Sequence, residues 1–246
     1  MKNSYDEIFE YLKKAGMSDA KIASFKKDLE EKDKKVKEYI TSKVSYYKNI
    51  LPELKSVIEN AKKEEDVQAF LTKHLEVALE VFSDGASPLD IIPKFKLGQD
   101  YVTDFVVLGV RSFGKPYHVI LVELESPLDN PFNKDGSYSR HLNQAIKQTQ
   151  DWQYWLRNKF ETFCADFSER LKRVNGPILR DDLRSAFFTF KIVIGRRYMY
   201  SDRNRETRSS IFHTTGSGIE IMSFDKIIES VEWYIKRSKI YIYPEL

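Results

Sequence analysis

The sequence predicts an α/β domain built on a mixed sheet, carried behind an N-terminal stretch of helices. Three observations predict it. Up to about Glu65 the chain is rich in Lys and Glu, poor in Gly and helical in its apolar spacing. Beyond that point strand-like and helix-like segments alternate, the pattern of an α/β fold. The run Val119 to Val122 is apolar on both faces, as in a strand covered on both sides.

Taken in order, "YDEIFEYLKKAG" places Tyr5, Ile8, Phe9 and Leu12 on one helical face, and Gly16 follows as a stop. A second helix starts near Ser18, whose hydroxyl can cap it, and continues through "KKDLEEKDKKVKEYI". Mixed charges at this spacing make a solvated face with i,i+4 pairing, so the region reads as a helical bundle or oligomerisation element. From Glu65 to Phe82 apolar residues recur at three- and four-residue steps, an amphipathic helix for packing on a sheet. "SDGASPLDIIP", with Gly85, Pro88 and Pro93, reads as a break. Two strands follow, "YVTDFVVLGV" and "HVILVELESP", joined by a turn at "RSFGKPY". A long helix is expected from Tyr138 to Lys159 and another around "FSERLKRV". Then come a strand "AFFTFKIVIG", a basic helix from near Asp202, a short strand "GIEIMSF" and a closing helix from Asp225 to about Lys236.

At 246 residues and 41% hydrophobic, the chain can bury a sizeable core. The sequence has no apolar run fit to cross a bilayer and no signal-peptide pattern, so a soluble, cytoplasmic protein is expected. Its single cysteine, Cys164, cannot form an internal disulfide and lacks the neighbours of a thiolate zinc site. A net charge of +3 does not by itself announce a nucleic-acid binder, so the distribution of charge matters more.

The informative stretch is "HVILVELESP". On a strand Glu123 and Glu125 share one face while Val122 and Leu124 take the other. If the hairpin folds about Ser112 to Lys115, Asp104 of the preceding strand falls opposite Glu123 or one residue away, and three carboxylates meet. Such acids repel, and desolvation raises the cost. A divalent cation with hard oxygen ligands is the natural compensator, and it can activate water and neutralise charge on a phosphate. A bare Glu-x-Glu is most often the solvent face of an edge strand. Here the two-sided apolar run and the acid on the partner strand argue otherwise.

An Asp on one strand and a Glu-x-(Lys or substitute) on the next resemble the PD-(D/E)XK nuclease core. The run "VELESPLDNPFNKDGSYSRHLNQAIKQTQDWQYWL" resembles the nuclease domain of the Shedu antiphage-defence family, and "FKIVIGRRYMY" and "GIEIMSFDKIIE" resemble two further segments of it. The likeness covers about Glu65 to Trp233. It implies an α/β, PD-(D/E)XK nuclease-like mixed β-sheet flanked by helices, with residues 63–246 as the nuclease domain and 1–62 as an N-terminal helical extension for oligomerisation or regulation. It further implies an Mg²⁺- or Mn²⁺-dependent DNA endonuclease acting in phage defence as a homo-oligomer, a tetramer. Asp104 and Glu123 take the metal-ligand positions, and Glu125 stands where the superfamily commonly has a lysine, completing the metal site. A glutamate there can ligate metal, accept a proton or hold water, whereas a lysine would stabilise developing charge; Lys96, Lys147 and Arg140 are the candidates for a cation supplied from elsewhere. Gln148 resembles a catalytic glutamine that orients substrate or water, on one helical face with Gln144 and Trp152. The preceding helix offers Glu76 and Glu80 as an auxiliary ligand, Glu80 preferred.

Lys191, Arg196, Arg197, Arg203, Arg205 and Arg208, interleaved with Tyr198 and Tyr200, suit phosphate contact and base stacking, with Arg196 and Arg197 as the leading DNA contacts. Two other readings fit the same residues: a catalytically inactive nuclease-fold module that binds or senses DNA, and a hydrolase acting on RNA or a nucleotide.

Overall fold

The structure is a computed structural model that describes residues 4–83, 85–111, 116–172, 174, 178, 180–200 and 218–242. The chain divides into two compact units, Met1–Asn49 with Tyr234–Leu246, and Ile50–Trp233.

The first unit holds helix α1 (Ser4–Lys14), the first part of α2 (Asp19–Asn60) and the end of the closing helix, α8 (Phe224–Ile242). Gly16 ends α1 at φ +88°, a conformation that costs glycine little. Phe9, Ile22, Val44 and Tyr47 are buried, and the Tyr47 ring meets Tyr234 edge-on at 4.9 Å. The polar face of α2 carries the expected i,i+4 pairing, with Lys35 2.8 Å from Glu31.

The second unit is an α/β layer structure. Its five-stranded sheet runs β1-β4-β5-β6-β7, with β1 (Ser87–Pro93), β4 (Phe105–Val110), β5 (Tyr117–Leu124), β6 (Phe187–Val193) and β7 (Ile219–Met222). The pairs β1–β4 and β4–β5 are antiparallel, β5–β6 and β6–β7 parallel, so the sheet is mixed as predicted. A separate two-stranded ribbon joins β2 (Lys96–Leu97) to β3 (Tyr101–Val102). The helices are α3 (Glu64–Lys73), α4 (Leu75–Phe82), α5 (Arg140–Asn158), α6 (Phe160–Arg170) and α7 (Arg180–Arg184).

Alternation along β5 sets the layers. Val119 and Leu121 join Val106, Leu108 and Phe190 in a core with Leu142, Ala145, Trp152 and Trp155 of α5 and Phe163 and Phe167 of α6. Phe105 meets Phe82 of α4. Ile120 and Val122 are fully buried as well, so both faces of β5 are covered. Cys164 is buried, in keeping with its reading as a small hydrophobe.

Four expectations change. "SPLDIIP" is a strand rather than a break: β1 lies at the sheet edge with Pro88 and Pro93 toward its ends, where a missing N–H costs little. The helix expected over Glu65–Phe82 divides at His74, which leaves the helical region at φ −117° and ψ 58°. "YVTDFVVLGV" divides into β3 and β4, leaving Thr103 and Asp104 between them. The long helix after the hairpin starts at Arg140, capped by Ser139, whose hydroxyl accepts from the Leu142 N–H at 3.2 Å. The turn at 112–115 and the basic segment from Asp202 lie outside the described residues.

Candidate functional site

The β4–β5 ladder ends at Phe105 opposite Val122, so the next positions across the pair are Asp104 and Glu123. This is the juxtaposition expected from the hairpin. Asp104 is buried and firmly held. Its Oδ2 accepts from the Leu124 N–H at 2.6 Å, and its Oδ1 accepts from Nζ of Lys94 at 2.8 Å and from Nε2 of Gln68 on α3. Its own N–H donates to the Val122 carbonyl. Burial raises the Asp104 carboxyl above its ordinary value, while the bonds from Lys94, Leu124 and Gln68 pull it down.

Glu123, at the end of β5, accepts a 2.8 Å hydrogen bond at Oε1 from Nε2 of Gln148 on α5. Burial, reinforced by the charges of Asp104, Glu125 and Glu64, pushes its carboxyl up to about 10. Glu125 follows the strand and is tied to β6 through its N–H and the Val193 carbonyl at 2.8 Å. Its carboxyl is pushed up to about 7 by burial and by Glu64, Asp129 and Asp104, with His141 opposing. Glu64, in the first turn of α3, is raised too, by burial and then by Asp104. Four carboxylates thus share one electrostatic neighbourhood. His141 pairs with Asp129 at its margin.

Of the residues singled out in the sequence, Asp104, Glu123, Glu125 and Gln148 come together. Gln144 is exposed on α5, and Trp152 is fully buried in the core. The carboxylates that act most on Glu123 are Asp104, Glu125 and Glu64; Glu80, half-buried on α4, is not among them. Sequence reading missed Glu64, Gln68 and Lys94. Glu64 and Gln68 stand four apart in "EEDVQAF", a spacing that puts both on one helical face, so that signal was present.

The basic set fares differently. Lys191 is buried between strands and ion-paired with Glu220 of β7, so it does not face a polyanion. Arg196 clasps Asp225 at the start of α8 with Nε and Nη2 at 3.1 and 3.0 Å, and its Nη1 reaches the Ile58 carbonyl. The Arg197 N–H donates to Asp225 at 2.7 Å, and its guanidinium pairs with Glu229. Arg196 and Arg197, the expected leading DNA contacts, are thus both engaged by acids at the first turns of a helix, Arg196 largely buried and Arg197 still 53% exposed. Arg203, Arg205 and Arg208 lie outside the described residues. Gly195 has its own reason. At φ +64°, a Cβ there would lie 2.6 Å from the Asp129 carbonyl oxygen. Gly195 also accepts from the Phe224 N–H, so "IGR" fastens the loop after Glu125 to α8.

The acids fit a hard divalent cation by donor chemistry: buried Asp104 and half-buried Glu123 and Glu125 are mutually repelling carboxylates, against which Lys94 sets a single positive charge. Among the described residues no three His, Cys, Asp or Glu side chains form a ready-made cage. The arrangement therefore suits an ion held by Asp104 and Glu123 and otherwise by water and substrate oxygens, the habit of Mg²⁺.

Residues 61–228 match the family model described as Shedu protein SduA, C-terminal, and the chain belongs to that family. Membership points to antiphage defence. No curated protein matches the chain. Among the described residues no helix is long and apolar enough to cross a membrane.

Proposed function

We propose that the protein is an Mg²⁺- or Mn²⁺-dependent DNA endonuclease of the PD-(D/E)XK type. The observation that carries the reading is the cross-strand placement of Asp104, buried, beside Glu123, half-buried, with the charge of Asp104 acting on the Glu123 carboxyl. Repulsion of this kind persists in a folded protein where function requires it. A bound ion supplies neutralisation of the carboxylates, charge stabilisation at the phosphate and acidification of water.

The chain's own residues do the rest. The Leu124 N–H and Gln68 fix Asp104 with one bond to each oxygen. Gln148 fixes the rotamer of Glu123 and leaves its second oxygen for the ion. Glu125, pushed up to about 7, can take a proton from water near neutral pH. Glu64 is the auxiliary acid, in place of Glu80. In this reading residues 1–62 join copies of the chain into a cytoplasmic homo-oligomer, a tetramer, and 63–246 form the nuclease domain.

Nicking of supercoiled plasmid with and without Mn²⁺, beside a Glu123→Ala control, tests the proposal. Metal-dependent nicking lost in the control supports it; wild type and control that behave alike sink it. The competing reading, an inactive module that binds or senses DNA, draws on Glu125 in the usual lysine position. It predicts DNA binding without nicking.

A further inference from the structure

Resting on that nuclease reading, we infer that Lys94 contacts the scissile phosphate and supplies the positive charge that the glutamate at position 125 cannot. Lys94 occupies the turn between β1 and β2, a place remote in sequence from the usual lysine position.

Four observations carry this. Lys94 has φ +47°, the one positive-φ non-glycine residue among those described, a conformation that side chains other than Asn and Asp adopt reluctantly. Such strain persists where the surroundings enforce it, and here they do. The Lys94 N–H donates to the Asp104 carbonyl at 2.8 Å, and the Thr103 N–H donates to the Phe95 carbonyl at 2.9 Å, which clamps the turn onto the segment bearing Asp104.

Second, the clamp aims the side chain at the acids. Nζ lies 2.8 Å from Oδ1 of Asp104, and its charge also acts on Glu123 and Glu64. Third, the lysine is not needed to satisfy Asp104, because Gln68 already serves Oδ1 and Leu124 serves Oδ2. Fourth, the side chain is 54% exposed while that of Asp104 is 7% exposed. An ammonium anchored at one edge of a buried acid and open to solvent on the other can meet an incoming phosphate oxygen with its remaining donors. The three cations suggested by sequence do not match this placement: none of Lys96, Arg140 and Lys147 is among the charges acting most on the acids.

In the hydrolysis a bond forms between the water oxygen and phosphorus, and the bond from phosphorus to the leaving sugar oxygen breaks. One proton of the water passes to Glu125 and from it to solvent, and a solvent proton completes the leaving oxygen. Lys94 neither gains nor loses a proton. It holds a non-bridging oxygen on which negative charge accumulates.

The test uses the full chain with Mn²⁺ and supercoiled plasmid under single-turnover conditions. Lys94→Met is expected to slow nicking about 100-fold or more, while DNA affinity and melting temperature stay close to wild type and Mn²⁺ binds at least as tightly. Lys94→Gly, which relieves the backbone strain and so guards against a folding defect, is expected to show the same loss. Lys94→Arg, which keeps a cation at the same position, is expected to recover at least about tenfold of the rate lost in Lys94→Met, a rescue that leaves Glu125 untouched. Nicking at wild-type rate in Lys94→Met or Lys94→Gly overturns the inference, and so does a loss accompanied by weakened Mn²⁺ binding or absence of rescue. A wild type that never nicks removes the nuclease reading and this inference together. A wild type that nicks no faster than Lys94→Met removes the inference alone.

Discussion

Nε2 of Gln148 donates to Oε1 of Glu123 at 2.8 Å, joining the middle of α5 to the end of β5 across 25 positions of sequence. The bond restricts a carboxylate that would otherwise turn away from its acidic neighbours. Groups that orient a ligand in this way typically change metal affinity or activity by about 10–100-fold when removed. Gln148→Leu is accordingly expected to slow Mn²⁺-dependent nicking within that range and to weaken Mn²⁺ binding, with the fold intact by circular dichroism. Unchanged rate and affinity would leave Gln148 with a packing role only.

The acids make stability depend on pH in a definite direction. Glu123 titrates near 4.5 in the unfolded chain and is pushed up to about 10 in the folded one. Between those values the native state keeps a proton that the unfolded state has lost, so metal-free stability falls as pH rises through that window. Glu123→Gln removes the ionisation and is expected to stabilise the metal-free protein at alkaline pH by about 1–3 kcal/mol, with little effect near pH 4. Denaturant melts across pH check this. A wild-type curve as flat as that of the variant would contradict the assignment.

A cation that binds only the folded state should reverse that penalty. At Mn²⁺ concentrations about 100-fold above Kd, the gain is about 2.7 kcal/mol, visible as a rise in melting temperature that chelation abolishes. The rise should vanish in Asp104→Asn and Glu123→Ala. Persistence of the full shift in both variants would place the ion elsewhere.

The Arg196–Asp225 clasp yields a contrasting expectation. Both side chains are largely buried and joined by two bonds, so Arg196→Ala is expected to cost about 1.5–3 kcal/mol of stability. Asp225 is held below its ordinary value, chiefly by Arg196 and the Arg197 N–H, against the opposing effect of burial. The contribution is therefore present above pH 3.8 and lost as pH falls below it. The salt dependence of DNA binding should not change, because the guanidinium is not available to a phosphate. A reduced salt slope with unaltered stability would return Arg196 to the DNA surface.

Gly195 supports the same junction. Gly195→Ala places a Cβ against the Asp129 carbonyl at a left-handed backbone position, and a loss of about 1–3 kcal/mol is expected in thermal denaturation. A neutral substitution would mean that the loop after Glu125 moves freely.

Much of the second unit was legible in the sequence for a physical reason: strand and helix periods are local. The two-sided apolar run of β5, the acid pair at its end and the amphipathic face of α5 follow from side-chain alternation and helical spacing, which need no knowledge of distant neighbours. The match of Asp104 to Glu123 was legible too, because a hairpin converts sequence distance into register. Proline misled at β1, since its tolerance depends on whether the strand lies at an edge, a fact of sheet order.

What the tertiary structure alone decided is which charges meet. Arg196, Arg197 and Lys191 look in sequence like an open basic surface; folding pairs each with an acid, because Asp225, Glu229 and Glu220 arrive beside them from β7 and α8, and it buries Lys191 and most of Arg196 while Arg197 stays exposed. Lys94 looks like one of many surface lysines until a clamped left-handed turn brings it to Asp104. Electrostatic partnership depends on distance and on exclusion of water, and both are set by packing rather than by order along the chain.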